Sequence, residues 1–217
     1  MKSRIRKSLS VLLAAIATAL PAQAANFLED FEGGLAQWTG KSGGSHTGLL
    51  IADPLNSGRG QVLSFDHFGY GGDLFSANSI SNSGPVTISF DYLGLADHDS
   101  VPGDLGGFLG IAYSLTPISE GHDIIWYAGT VDSYPSLLTT LTDDGLWHRY
   151  QFTVDGTALG AFRLTMEDFS GSGGSACDVY FDNISVIATP EQVPEPTAAT
   201  LGLIGGLAAL LVIRRRN

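Results

Sequence analysis

The sequence predicts an all-β, two-sheet sandwich of about nine or ten strands. Apolar residues alternate with polar ones in short runs, and many of the 28 glycines and nine prolines punctuate those runs. Between residues 25 and 192 no stretch carries the apolar spacing of an amphipathic helix. Strands divided by turns at this frequency favour two stacked sheets, and no internal repeat suggests a propeller or a solenoid.

Residues 85–93 are the clearest strand, with Val86, Ile88, Phe90 and Tyr92 on one face and Thr87, Ser89 and Asp91 on the other. Further strands are expected at 27–31, 47–52, 61–65, 108–115, 124–131, 147–154, 161–166 and 179–187. Asp155-Gly156 predicts a hairpin turn between two of them, because such turns favour positive φ. In the last strand Val179 and Phe181 share a face, whereas Ile184 and Val186 fall on the opposite parity. That switch predicts a β-bulge near Asp182-Asn183. The loops at 78–84, 97–107 and 134–145 are polar and turn-rich, the places where function usually resides.

Both ends differ from this body. Lys2, Arg4, Arg6 and Lys7 precede an apolar run over 9–20, and Ala22-Gln23-Ala24 reads as a signal-peptidase site, with Ala22 and Ala24 as its small residues. Residues 1–24 are therefore expected to be a signal peptide. The residue directly after the site is Ala25 and not a cysteine, which excludes a lipoprotein. At the other end, Val193-Pro194-Glu195-Pro196 precedes an uncharged run over 197–213 and then Arg214-Arg215-Arg216-Asn217. A helix over that run spans about 25 Å, near the lower limit for crossing a bilayer. Its Gly202 and Gly206 have a helix-packing spacing, and the arginines should remain cytoplasmic.

This quartet, membrane segment and basic cluster resemble the PEP-CTERM sorting signal of Gram-negative bacteria that make exopolysaccharide and carry an exosortase. The resemblance covers residues 193–217. It implies an inner-membrane anchor, cleavage near Val193–Pro196 by an exosortase-type protease, and delivery to the cell surface or beyond. An ordinary tail anchor would share the apolar run but not the Pro-Glu-Pro sequence. The expected organisation is thus a leader (1–24), one sandwich domain (25–188), a Pro-rich linker with the sorting quartet (189–196), a transmembrane segment (197–213) and a basic tail (214–217).

Residues 25–196 hold four basic residues, Lys41, Arg59, Arg149 and Arg163, against 22 acids, a formal charge of −18. Such a surface repels nucleic acid and anionic lipid and tolerates neutral glycans or divalent cations. The single cysteine, Cys177, makes no internal disulfide, and its neighbour Asp178 does not activate the thiol.

Three segments of the body resemble jelly-roll carbohydrate-binding modules and galactose-binding-like domains. They are Asp30-Phe31-Glu32-Gly33-Gly34-Leu35-Ala36-Gln37-Trp38, the segment Asp144-Gly145-Leu146-Trp147-His148-Arg149-Tyr150-Gln151-Phe152, and Val179-Tyr180-Phe181-Asp182-Asn183-Ile184-Ser185-Val186. The resemblance implies a jelly-roll sandwich with Trp38 and Trp147 in its core. It also implies a structural Ca²⁺ tying the first strand to the last, with Glu32 and Asp182 as carboxylate ligands. Two carboxylates with backbone carbonyls would suit that cation, and a bulge at Asp182 would aim the side chain.

Sugar platforms use aromatic faces with polar groups at their rim. Trp126, Tyr127, Tyr134 and Tyr70 lie on or beside loops and are the ring candidates. Asp97, Asp99 and Asp104 lack the order of an EF-hand loop. Histidines 46, 67, 98, 122 and 148 show no metal-ligand spacing. There is no Gly-x-Ser-x-Gly elbow, and no marker singles out a glycosidase carboxylate pair among the acids. The reading is a non-enzymatic, exported surface or matrix protein that binds or resides in exopolysaccharide. A polysaccharide hydrolase or lyase, or a purely structural surface protein, are the alternatives.

Overall fold

The computed structural model describes residues 25–66, 74–81, 84–95, 104–115, 123–130, 136–170 and 178–188. The leader, the sorting quartet, the apolar tail, Tyr70, Tyr134, Asp97, Asp99 and Cys177 lie outside these residues. Among the described residues no helix is long and apolar enough to cross a membrane.

All nine expected strands form, and four shorter ones join them. The first sheet runs β11 (His148–Asp155), β7 (Pro85–Gly94), β13 (Val179–Ala188), β4 (Gln61–Phe65) and β3 (Gly48–Ala52), with β1 (Ala25–Glu29) also paired to β13. The second runs β10 (Thr139–Thr140), β9 (Ile124–Gly129), β8 (Asp104–Ala112), β12 (Ala161–Ser170), β5 (Leu74–Ser76) and β2 (Trp38–Thr39), with β6 (Ile80–Ser81) also paired to β12. The four additions β2, β5, β6 and β10 are two or three residues long. That is too short for alternation to register, and β6 and β10 fall inside segments expected to be loops.

The main core lies between the sheets. Ile88, Phe90, Tyr92, Phe152, Phe181 and Val186 of the first face Leu109, Ile111, Phe162, Leu164 and Met166 of the second. The outer face of the second sheet is also apolar: Phe75, Phe108, Ala112, Ile124, Trp126 and Phe169 cluster there, with Leu115 and Leu137 packed against them. The outer face of the first sheet holds a smaller cluster of Val62, Leu93 and Tyr180, flanked by Ile51, Leu95 and Trp147.

Asp155-Gly156 is not a two-residue hairpin. One helical turn, α1 (Gly156–Leu159), follows β11, with Asp155 Oδ1 accepting the Thr157 N–H at 2.9 Å and Gly160 closing the turn at φ 65°. The reason is topological. β11 and β12 belong to different sheets, and facing sheets lie about 10 Å apart, whereas a tight hairpin joins strands about 4.8 Å apart.

The expected bulge is present. Asp182 pairs with Asp91 and Ser185 with Ser89, so Asn183 and Ile184 together oppose one residue of β7. Asn183 takes φ 50°, a left-handed conformation that asparagine tolerates better than most side chains. At this bulge β13 also changes neighbour: Phe181 pairs with Leu63 of β4, and Ile184–Ile187 pair with β1.

Candidate functional site

Alternation along β7, β11 and β13 turns Asp91, Ser89, Arg149, Asp182 and Ser185 to the outer face of the first sheet. Asp91 and Asp182 are 6% and 2% exposed and stand opposite each other on paired strands. Like charges placed so closely repel unless a cation intervenes. Arg59, from the turn before β4, supplies it: its guanidinium pairs with Asp91 and lies 3.2 Å from Asp182 Oδ2. Asn183 Nδ2 donates to both carboxylates at 2.9 Å, and its backbone N–H donates to Asp182 Oδ1 at 2.7 Å. Arg149 closes the far side, donating to Asp91 Oδ1 (3.0 Å), the Asn183 carbonyl (2.9 Å) and Ser89 Oγ (2.8 Å).

The two carboxylates titrate differently. Burial raises the pKa of each, but at Asp91 the hydrogen bonds from Arg59, Asn183 and Arg149 outweigh it and the net shift is downward. At Asp182 burial, helped by the Asp91 charge, outweighs Asn183 and Arg59, and the pKa rises. Arg59 is held above its ordinary value: burial would lower it, but Asp91 and Asp182 more than offset that. Its guanidinium also lies 4.4 Å from the centre of the Trp147 ring.

Beside this network runs an open groove of about 450 Å³. Leu28, Gln37, Arg149, Asn183 and Ser185 line it, with Gly33 and Gly34 at its rim. Leu28 points outward from β1 and is 61% exposed. Glu29 anchors the wall: it accepts the Phe31 N–H at 2.8 Å, Trp38 Nε1 at 2.9 Å and Gln37 Nε2 at 3.2 Å. Gln37 Nε2 also donates to the Leu28 carbonyl at 3.1 Å, which fixes its amide at the groove wall.

The groove thus offers one aliphatic surface among amide, hydroxyl and guanidinium groups. Its acids have partners: Glu29 as described, and Asp30 accepting the Glu32 N–H at 3.2 Å. Hydrolysis by a carboxylate pair needs two acids flanking a bond with a reactive space between them. The opposed pair here, Asp91 and Asp182, is buried and bridged by Arg59.

The residues expected to bind calcium take other partners. Glu32 is exposed and accepts the Gln61 N–H at 2.8 Å, joining the segment after β1 to the start of β4. Both Asp182 oxygens accept hydrogen bonds, and a guanidinium stands beside one of them. A Ca²⁺ shell of six to eight oxygens needs open carboxylates, which Asp182 does not offer, so the site does not fit the ion. Among the described residues no group of three or more His, Cys, Asp or Glu could hold a metal.

The ring candidates are placed differently from expectation. Trp126 turns to the outer face of the second sheet but is 4% exposed, because that face is covered; its ring lies 5.7 Å from Phe108. Tyr127 turns inward, 5.6 Å from Phe152, and burial raises its pKa. Neither is an outward platform. Trp38 is a core residue as expected, 5% exposed and stacked on Phe31. Trp147 is not: it lies half-buried on the outer face, donating to Asp53 Oδ1 at 3.0 Å.

Sequence reasoning missed Leu28, Gln37, Arg59 and Arg149 as neighbours. For the two arginines the scarcity of basic residues was the available signal, since in an acidic body a lone guanidinium finds an acid or a carbonyl, as Arg59, Arg149 and Arg163 do here.

No family model and no curated protein matches this chain. Similar solved structures include the CBM22-1–GH10 modules of Clostridium thermocellum xylanase 10B complexed with xylohexaose, at 13% identity and TM-score 0.48 over 79% of this chain and 30% of that one. The CBM22-1 xylan-binding domain of Paenibacillus barcinonensis Xyn10C matches at 18% identity and TM-score 0.44, over 80% of this chain and 100% of that one. A cleaved adhesin domain of Lys-gingipain from Porphyromonas gingivalis matches at 17% identity and TM-score 0.46, over 76% and 98%. This chain thus spans less than a third of the first of these.

Proposed function

We propose that this protein is an exported, non-catalytic β-sandwich that holds exopolysaccharide in the groove beside the β13 bulge. The groove itself carries the reading: an exposed aliphatic side chain, Leu28, lies among Gln37, Arg149, Asn183 and Ser185. Saccharides present apolar C–H faces and a rim of hydroxyls, and sites that bind them combine an apolar surface with a few placed polar groups. The carboxylates at the groove are already hydrogen-bonded, which favours holding a glycan over cleaving it. The strongly acidic body suits a neutral glycan. An open groove of this size gives weak single contacts, and a polymer that engages many copies at once strengthens them by avidity. The leader at 1–24 and the tail at 193–217 complete the proposal: export, sorting by an exosortase, and residence at the cell surface or in the matrix.

The test is binding of the purified protein to a glycan array and to exopolysaccharide from a PEP-CTERM host. Wild type is expected to bind without releasing product. Leu28→Ala and Gln37→Ala should each weaken binding by about 10-fold, the effect of losing about 1.4 kcal/mol, with little change in Tm for exposed Leu28. Released oligosaccharide would make the protein a hydrolase, or a lyase if the new ends are unsaturated. Silence on every glycan would leave a structural surface role.

A further inference from the structure

β13 changes neighbour at its bulge, with β4 beside Phe181 and β1 beside Ile184. A sheet has a seam where one strand ends and another takes its place, because the ladder hydrogen bonds that would cross it are missing. Here two side chains close the seam. Glu32, just beyond β1, reaches the Gln61 N–H at the head of β4. Arg59, just before β4, reaches across to Asp182 on β13 and Asp91 on β7.

We infer that Arg59 is an internal cation that does at this seam what a bound divalent metal would do, so the seam is held together without calcium. Three observations converge on it. The carboxylates that face each other at the seam, Asp91 and Asp182, are already bridged by the guanidinium, and the other expected metal ligand, Glu32, is engaged with the Gln61 N–H. Asn183 donates to both oxygens of Asp182, from its backbone N–H to Oδ1 and from its side chain to Oδ2. Arg59 itself is fixed from its other side by the Trp147 ring. A guanidinium suits the place because its Nη1 can donate to both carboxylates while its planar face stacks on the Trp147 ring. Arg59 is also a positioning residue for the groove. Through Asp91 and Asp182 it orients Asn183, whose carbonyl accepts from Arg149, and both residues line the groove.

Thermal melts of the purified protein test the inference with and without chelator, and with Ca²⁺ against Na⁺ at matched ionic strength. Neither treatment should move the wild-type Tm, and calorimetry with Ca²⁺ alone should show no saturable binding. Arg59→Met should lower Tm by about 5–10 °C, since it leaves two buried carboxylates facing each other. Arg59→Lys, which keeps the charge and loses the fork, should recover part of that loss. A chelator-induced fall in wild-type Tm, saturable Ca²⁺ binding, or an Arg59→Met melt equal to wild type would each overturn the inference, and the first two need no variant to fold.

The positioning role rests on the glycan reading above and has its own readout, polysaccharide affinity below the melting transition. Arg59→Met should weaken it although its side chain does not line the groove. Unchanged affinity in the folded variant would remove that role, whereas a wild type that binds no glycan would remove the glycan reading and leave the Tm and Ca²⁺ results to decide the seam.

Discussion

Asp53 shows how one side chain fixes a turn. It is 4% exposed, its Oδ1 accepts the Leu55 N–H and the Trp147 indole, and its Oδ2 accepts Ser57 through both N–H and hydroxyl. Burial would raise its pKa, but the hydrogen bonds from Ser57, Trp147 and Leu55 outweigh burial and bring it to about 2. Its folded pKa therefore lies below the unfolded value of about 3.9. The stability it contributes is complete above that value and is lost as pH falls through the folded pKa. Asp53→Asn should lower Tm at neutral pH, and the gap from wild type should close as the melts move from pH 5 to pH 2. A gap constant with pH would remove the charged hydrogen bonds as its cause. Asn183 is the second residue that decides its surroundings. Its side chain bonds two carboxylates while its backbone sits at φ 50°. The parity switch placed this bulge from sequence, but Asp91 and Arg149, which meet Asn183 from β7 and β11, left no local trace.

Among the elements, β13 is central: β7 flanks it on one side along most of its length, and β4 and β1 divide the other side. Its inward residues Val179, Phe181, Ile184 and Val186 are all buried. The outward Asp182 and Ser185 are buried as well, which leaves its amides little access to water. Amides of β7 and β13 should exchange with deuterium most slowly, near the rate of global unfolding, while β2, β6 and β10 exchange first. Fast exchange in β13 would show that the seam opens on its own. The nine longer strands were legible because alternation over five or more residues separates a core face from a solvent face. It could not say which strands pair, and so it misread Asp155-Gly156 as a hairpin when the chain crosses between sheets there. It also could not say whether an outer face stays open. Of the adjacent rings Trp126 and Tyr127 alternation turns Trp126 outward, yet that face carries a second apolar cluster, and the ring is buried.

At the scale of the molecule, charge is distributed unevenly between inside and outside. Of the four basic residues of the body, Arg59 and Arg149 join the acidic network, and Arg163 donates to the carbonyls of Ser76 and Ala77. The many exposed acids are left with few cations near them. Self-repulsion of that surface is screened by salt, whereas the half-buried network is screened less. Raising ionic strength from about 0.01 to about 0.2 M should therefore raise Tm by a few degrees. A fall would mean that the ion pairs outweigh surface repulsion. By itself the sequence determined the all-β class, the positions of the longer strands, the bulge in the last strand and the acidic character of the body. Each follows from local periodicity or composition. Tertiary structure alone decided that Arg59, Asp91, Asn183 and Arg149 meet, that Leu28 and Gln37 flank them, and that Asp182 faces a guanidinium. The hydrogen bonds of that network join residues up to 123 positions apart, and pairing at such separation is set by sheet order and register, which no local pattern in the chain encodes.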